Sequence, residues 1–326
     1  MNELVFPYLA PVESKSLPLT LISLEEWCMI SMTGVDTFNY IQKQITFDIT
    51  TLQLNQYCQT AHCNAEGKMW SNLLLFHYNG GLAWIIRRSV QNLQMEALKK
   101  YAIFSKVMIS ATNDILMGIA GFQARAILSQ VFARLPSRKS PLIYNKNMVL
   151  LWLNNPSERF IIISNIMIIK QLQEQLSNYC QLNNSRQWMS LDIEAGNPII
   201  DNKNCCKFIP QAANLDLIGA INFQKGCYLG QEIIARATFR GINKYALYWL
   251  SGKLNNFPKS TRINFINLNN SKPSIYYSAN ILAICKMANN EIWIQAILKK
   301  DLPYNTIFRM DGDDESYFYI RPISYL

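Results

Sequence analysis

The chain has 326 residues, which allows about two or three domains of ordinary size. Half of the residues are hydrophobic and 16% are charged, so the chain can bury sizeable cores, and intrinsic disorder is excluded as its main state. The formal net charge of +9 suits an anionic partner such as nucleic acid, an anionic cofactor or a lipid. The basic residues are scattered, however, and a solvated basic surface explains them equally well.

The apolar runs are too short to cross a membrane. The longest cover residues 148–153 and 160–169, whereas a spanning helix needs about 20 apolar residues. The N-terminus lacks the basic and apolar regions of a secretory signal peptide. Eight cysteines without CxxC spacing suggest neither a disulfide framework nor a metal site. We therefore expect a cytoplasmic protein with no membrane partner and no bound metal.

The first two-thirds of the chain alternates predicted strands and helices in no regular βαβ order. Prolines mark the first 20 residues as an extended lead-in. A β-meander is predicted over 57–88, with turns at Gly67 and at Gly80–Gly81. Further strands are predicted at 106–110, 115–119, 148–153 and 159–164. Helices are predicted at 35–45 (N-cap Asp36), 89–101 (N-cap Ser89), 121–132, 166–177 and 185–193 (N-cap Ser185). This order predicts an α+β fold.

The last third of the chain has a different pattern. From Lys244 onward, short runs rich in β-branched and aromatic residues alternate with turns that contain Asn, Gly, Pro and Lys. This spacing is typical of a small β-barrel or sandwich. We place the domain boundary near Gly241, which divides the chain into residues 1–240 and residues 241–326.

The most distinctive segment is FQKGCYLGQEIIARATFRG, residues 223–241. Gly226 and Gly230 allow unusual backbone angles around Cys227, and good helix formers follow. A nearby cation, Lys225, and a helix N-terminus both favour the thiolate form of a cysteine. Cys227 is therefore a candidate reactive thiol. From the residues alone, a packed turn around a buried cysteine is the alternative.

The octapeptide KGCYLGQE resembles the signature of the YgfZ family of folate-binding, tRNA-modifying proteins, which is related to the glycine-cleavage aminomethyltransferase, or T-protein. Other segments resemble that family in the same order: AHCNAEGKMWSNLLLF, KKYAIFSKV, GIAGFQARA, WMSLDIEAGNPIID and FIPQAANLD. The resemblance covers residues 20–245 well and the C-terminal region more loosely. The motif residues are Lys225, Gly226, Cys227, Tyr228, Gly230, Gln231 and Glu232.

The resemblance implies an aminomethyltransferase-like folate-binding core of two subdomains, followed by a small C-terminal β-barrel. Tetrahydrofolate is the implied cofactor, and the family's folate-contacting tryptophans correspond to Trp27 and Trp188. Flat aromatic ligands do stack on tryptophan, although without the family each would be read as a core residue.

The other expected folate contacts are charged. Glu194 has a carboxylate that can accept two N–H bonds from a pterin edge, so Glu194→Gln should weaken folate binding by about tenfold or more. A solvated glutamate at a helix end is the alternative for this residue. For the anionic glutamate tail of folate, Lys225, Arg236 and Arg240 are the candidates.

The function implied by the resemblance is that of a helper protein. It would support the assembly or maintenance of iron–sulfur enzymes that thiolate or methylthiolate tRNA, and the family also implies a regulatory effect on replication initiation. Folate, these enzymes and cluster-assembly proteins are the implied partners. Cys227 and Lys225 would carry the chemistry.

Two other functions are open. One is a tetrahydrofolate-dependent aminomethyltransferase, but the transferase relatives have an Asp where this chain has Cys227, which changes the acid–base chemistry. The other is a direct RNA-binding module, which the charge allows although no RNA-binding motif is recognised. Enzymatic activity is therefore open, and the helper function is preferred.

Overall fold

The protein forms two β-sheets with flanking helices and a closed C-terminal barrel, in a computed structural model that describes residues 4–255, 257–258, 260, 262–268 and 276–323. The strands are β1 (Thr20–Ser23), β2 (Trp27–Thr33), β3 (Tyr57–Cys63), β4 (Met69–Tyr78), β5 (Gly81–Arg87), β6 (Met108–Ala111), β7 (Ile115–Ala120), β8 (Leu142–Asn145), β9 (Met148–Leu153), β10 (Arg159–Ser164), β11 (Gln181–Asn183), β12 (Tyr245–Lys253), β13 (Arg262–Asn267), β14 (Tyr276–Lys286), β15 (Ile292–Lys299), β16 (Ile307–Met310) and β17 (Tyr317–Arg321). The helices are α1 (Thr37–Gln42), α2 (Gln91–Tyr101), α3 (Ala124–Val131), α4 (Ile166–Leu176), α5 (Ser185–Ala195) and α6 (Gln231–Phe239). The outermost parts of the predicted domains, residues 1–3 and 324–326, lie outside the described residues.

The first sheet has six strands in the order β11-β1-β7-β10-β9-β8, and within it only the β1–β11 pair is parallel. Every residue of the β10 sequence RFIIIS is buried. Phe160 and Ile162 pack under α3 and α4, while Ile161 and Ile163 face the second sheet. Covering both faces of a strand explains why it is a continuous apolar run rather than an alternating one.

The second sheet has five strands in the order β3-β4-β5-β2-β6. The predicted meander is confirmed as β3, β4 and β5, and β2 pairs with β5 antiparallel. Side chains alternate along β5: Ala83 faces the first sheet, whereas Trp84 packs with the residues under α1 and α2. The core that contains the candidate site therefore lies between the two sheets.

The predicted helix caps find other partners. Asp36 holds the N-cap position, but its carboxylate accepts from Lys106 N rather than from the helix. Ser89 lies before α2 and donates to Asp201 at 2.7 Å. Asn184, not Ser185, caps α5 and accepts from Arg186 N at 3.0 Å, while Ser185 donates to Glu25. Each predicted capping side chain thus binds a partner distant in sequence, which sequence spacing cannot reveal.

The C-terminal region is a closed barrel with the strand order β12-β15-β14-β13-β16-β17. Phe265, Phe308 and Phe318 are buried in its interior, and the Phe265 ring lies 5.5 Å from that of Phe308 and 5.7 Å from that of Phe318. The α+β class with a small C-terminal barrel is thus confirmed. The barrel's first strand begins at Tyr245, and the exact division of the chain at residue 240 stays a prediction.

None of the helices in the described ranges is long and apolar enough to cross a membrane.

Candidate functional site

Trp27 and Trp188 meet at a small cavity between the two sheets. Trp27 begins β2 and Trp188 lies on α5, and both line a cavity of about 70 Å³. Both side chains are almost fully buried. Five polar residues also line the cavity: Gln59, Asn72, Arg87, Asp192 and Asn197. The structure therefore brings the two predicted tryptophans to one place, although a folate contact stays a prediction.

A glycine makes room for Trp188. Gly118 lies on β7, next to the cavity, where a side chain's Cβ would come within 2.6 Å of Trp188 Cε3. No real Cβ atom tolerates such a contact. Gly118 thus lets the indole of α5 lie directly on the first sheet.

Each tryptophan ring is covered by a buried arginine. The guanidinium carbon of Arg87 lies 4.3 Å from the Trp27 ring centre, and that of Arg159 lies 4.4 Å from the Trp188 ring centre. Cation–π contacts of this kind are strengthened by desolvation. Sequence analysis missed both arginines. The only signal was a charge at the end of an apolar strand, in LAWIIRR and RFIII.

The two arginines are paired but not saturated. Arg87 Nε donates to Asp201 Oδ1 at 2.9 Å and its Nη2 donates to Glu26 Oε2 at 2.7 Å. Arg159 Nη2 donates to Asp192 Oδ1 at 2.7 Å. Burial opposes the charge of Arg87, but Asp201 and Glu26 outweigh it and hold its pKa above the usual value.

One nitrogen of each guanidinium has no acceptor. Arg87 Nη1 and Arg159 Nη1 are buried and make no hydrogen bond. A buried donor left unpaired costs about 1–3 kcal/mol. Such donors are expected where a ligand or an ordered water completes a site.

A larger pocket adjoins the cavity. It measures about 460 Å³ and shares Gln59, Leu153 and Asn197 with the inner cavity. A single hydrogen bond of 3.3 Å, from Gln59 Nε2 to Asn197 Oδ1, joins the two shared amides. Small-molecule sites usually measure about 300–1,000 Å³. The inner cavity alone is below that range, whereas the two spaces together fall within it.

Glu194 lies away from this cavity. Its carboxylate accepts from Ser14 N at 3.0 Å and from Ser14 Oγ at 2.7 Å, so both oxygens hold the N-terminal segment. Gln187, two helical turns earlier on the same face, binds the backbone of Val12 in the same way. The carboxylate that lines the cavity is Asp192, one turn after Trp188. The structure does not bring Glu194 together with the tryptophans.

Lys225 anchors the motif segment. Its ammonium donates to the carbonyl oxygens of Gln42, Ile45 and Phe47 at 2.7, 2.8 and 2.7 Å. Burial lowers the pKa of Lys225 to about 8. An ammonium has three protons to donate, and here all three are taken by backbone oxygens. Lys225 therefore has no donor left for Cys227 or for an anionic ligand.

The rest of the motif packs closely on the turn of the meander. Gly230 precedes α6 with φ +82°, and an added Cβ would lie 2.5 Å from Asn64 O and 2.8 Å from Gly67 Cα. Only glycine fits such an approach. Tyr228 is buried beneath the segment, with the Lys225 ammonium 5.1 Å from its ring centre. Gly226 is exposed, and Gln231 and Glu232 form the first turn of α6.

Cys227 is the exposed cysteine of the chain. The other seven cysteines are buried or half-buried. Cys227 lies three residues before the N-cap of α6. Its thiol is thus open to a partner, and the alternative of a buried cysteine in a packed turn is wrong. A chemical role for the thiol stays a prediction.

The arginines expected to bind the glutamate tail lie elsewhere. Arg236 pairs with Glu232 on α6 and lines a groove beside the barrel, and Arg240 is exposed just after that helix. Neither lines the inner cavity or the adjoining pocket. Among the residues that the structure describes, no group of three or more His, Cys, Asp or Glu side chains is placed to hold a metal ion.

Comparisons with known proteins agree with this architecture. Residues 243–314 match the family described as YgfZ, beta-barrel domain. The aminomethyltransferase T of the glycine cleavage system from Bartonella henselae is structurally similar, with a TM-score of 0.76 over 95% of this chain and 86% of that chain. The two sequences are 13% identical, so this likeness concerns the fold alone.

Two curated relatives are similar along almost their whole length. A protein of Yersinia enterocolitica serotype O:8 / biotype 1B is 45% identical over 96% of this chain and 94% of its own. A protein of Sodalis glossinidius is 41% identical over 99% of this chain and 98% of its own. Both are named tRNA-modifying protein YgfZ. By this similarity over its full length, the chain belongs to the YgfZ family.

Proposed function

We propose that this protein is a folate-dependent helper in tRNA modification. It binds tetrahydrofolate between Trp27 and Trp188, and it uses Cys227 in the cytoplasm to support iron–sulfur enzymes that thiolate or methylthiolate tRNA. The name shared by its relatives, tRNA-modifying protein, supports the tRNA part of this proposal. The observation that carries the folate part is the pair of buried guanidinium nitrogens without acceptors beside the two indoles.

The residues around the cavity suit a pterin. Its flat ring meets the aromatic surface of Trp27 and Trp188, and its exocyclic oxygen accepts from Arg87, the arginine that lines the cavity. Asp192 takes the role expected of Glu194 and accepts from the amino edge of the ring. The aminobenzoate extends into the adjoining pocket past Gln59 and Asn197. A bound tetrahydrofolate supplies a carrier for one-carbon units.

The folate proposal is tested by calorimetric titration with tetrahydrofolate. We expect the double variant Trp27→Ala/Trp188→Ala to bind at least about tenfold more weakly than wild type, because both aromatic contacts are removed. Trp70→Ala is the matched control, since Trp70 is half-buried and lies outside the cavity. Equal affinity in the double variant and the control would reject this site.

The thiol proposal places Cys227 outside the folate site. Its segment is anchored through Lys225, which positions the thiol, and Cys227 is exposed to a protein partner. We expect Cys227→Ser to bind tetrahydrofolate normally but to fail to restore tRNA methylthiolation in cells that lack the protein. Cys205→Ser, at a half-buried cysteine, is the control and should restore it. Full restoration by Cys227→Ser would show that this thiol has no such role.

The aminomethyltransferase alternative has only a fold in its favour. The structural similarity at 13% identity carries no activity. We expect no methylene-tetrahydrofolate from an aminomethyl donor in the presence of the purified protein. If the protein does form this product, and if the rate depends on Trp27 and Trp188, the transferase function would replace the helper function as the conclusion.

A further inference from the structure

A groove between α6 and the barrel collects positive charge. It measures about 660 Å³, and its lining includes Lys207, Arg236, Lys244 and Arg262. These cations come from a loop, a helix and two barrel segments that are distant in sequence. The basic residues that are scattered along the chain are therefore brought together at one surface by the fold.

The groove contains little that neutralises this charge. No acidic residue lines it. Arg236 pairs with Glu232, but no carboxylate within the described ranges forms an ion pair with Lys207, Lys244 or Arg262. Arg262 Nε donates to Ser278 Oγ at 3.1 Å. Three cations thus remain for an anionic partner.

More charge lies at the end of the groove. Lys299 is the strand partner of Tyr245, and Lys300 N donates to Lys244 O at 2.8 Å. Both lysines are next to the groove on the barrel rim. A row of cations at one edge is a typical footprint of a nucleic-acid backbone.

The groove also has exposed apolar and aromatic surface. Tyr245 is 48% exposed, Ile242 is 55% exposed and Ile233 is 38% exposed. An exposed tyrosine among cations is the combination on which unpaired bases stack while their phosphates are neutralised. A space of about 660 Å³ admits a strand with splayed bases rather than a duplex.

We propose that this groove binds a single-stranded stretch of RNA, with its phosphates on Lys207, Lys244 and Arg262 and a base on Tyr245. The proposal deepens the proposed function, on which it rests for the identity of the RNA, by giving the chain its own contact with tRNA. Helix α6 forms one wall of the groove and begins at Gln231, four residues after Cys227. RNA bound here would therefore lie along the helix that follows the exposed thiol.

The test is fluorescence anisotropy with two labelled probes, an unmodified tRNA transcript and a single-stranded RNA of about 12 nucleotides. We expect Lys244→Ala/Arg262→Ala to weaken binding of both probes at least about tenfold near 0.1 M salt. Two fewer phosphate contacts should also make the negative slope of log K against log salt shallower by about 1.4. Arg138→Ala/Lys139→Ala is the matched control. It removes the same charge from an exposed loop outside the groove. The affinity and the salt slope of this control should each change by less than half of the change seen in Lys244→Ala/Arg262→Ala.

Tyr245→Ala tests the base contact separately. We expect about tenfold weaker binding with an unchanged salt slope, because stacking involves no counterion release. Circular dichroism and thermal unfolding of every variant establish that it is folded.

Three results would overturn the proposal. They are no binding of either RNA at low salt, an equal loss in the two double variants, and equally tight, groove-dependent binding of poly-glutamate, which would assign the groove to acidic polypeptides. The affinity of Lys244→Ala/Arg262→Ala for tetrahydrofolate should equal that of wild type. The titration therefore distinguishes a failure of the RNA site from a failure of the folate site.

Discussion

The tryptophan cavity and the Cys227 segment use buried cations in opposite ways. At the cavity, Arg159 pairs with Asp192 and keeps one nitrogen without an acceptor. At the motif, Lys225 gives all three protons to backbone carbonyls and leaves Cys227 in solvent. A cation with an unused donor can bind a ligand, whereas a saturated cation shapes the backbone. The comparison supports the proposals that the cavity binds a ligand and that the motif displays the Cys227 side chain.

Breaking the cavity's ion pair should have the largest effect on stability. We expect Arg159→Ala to lower the free energy of unfolding by about 3–5 kcal/mol, because it leaves the Asp192 charge buried without its partner. Arg236→Ala, which breaks the exposed pair with Glu232 near the motif, should cost about 0.5 kcal/mol or less. Urea denaturation measures both. Similar losses in the two variants would contradict the contrast drawn between the regions.

Acid should act through the strand that supports the motif. His62 on β3 is fully buried with neither ring nitrogen hydrogen-bonded, and burial lowers its pKa from 6.5 to about 3. Below pH 6.5 the unfolded chain takes up a proton that the folded chain excludes. Stability is therefore present above that pH and is lost as the pH falls, by about 1.4 kcal/mol per pH unit.

The matched variant for this prediction is His62→Leu. It removes the titrating group and leaves no unpaired polar atom, so its stability should fall less between pH 6 and pH 4. Denaturant midpoints for both proteins at several pH values make the comparison. Parallel pH profiles would mean that other groups cause the acid sensitivity.

The smallest expected effect on folate binding is that of Glu194→Gln, which is compared with Asp192→Asn on the same helix. Glu194→Gln should leave tetrahydrofolate affinity within about twofold of wild type and cost about 1 kcal/mol or less, because it weakens only the Ser14 contacts. Asp192→Asn should weaken tetrahydrofolate binding about tenfold, since Asp192 lines the cavity. Calorimetry decides between them. The reverse ranking would restore Glu194 as the pterin-binding carboxylate.

Most elements could be predicted from local pattern, and the misses have a common cause. The meander has apolar alternation and glycine turns, and it is confirmed strand by strand. In contrast, β1 and β2 follow a proline-containing lead-in and were not predicted. Short strands such as β1 and β11 exist only because neighbours in the sheet pair with them, which no local periodicity records.

The candidate site could be predicted only where its residues are consecutive. The motif is one short segment, so its position, its glycines and the helix at its end could be predicted directly from consecutive residues. Gly230 is required because the backbone of Asn64 and Gly67 packs against it. That reason becomes visible only in the folded structure, where the turn of the meander lies beside the motif. Arg87 and Arg159 have no motif, and nothing near them in sequence indicates that each covers a tryptophan.

By itself, the sequence determined the α+β class, the C-terminal barrel, the family and the distinctive cysteine, because these depend on periodicity and on a contiguous motif. The tertiary structure alone decided which groups share the cavity, that Glu194 serves the N-terminal segment, that Lys225 is saturated and that scattered cations form one groove. Side-chain partners are chosen by distance in space and by the cost of leaving a buried polar group unpaired. Neither quantity can be computed from spacing along the chain.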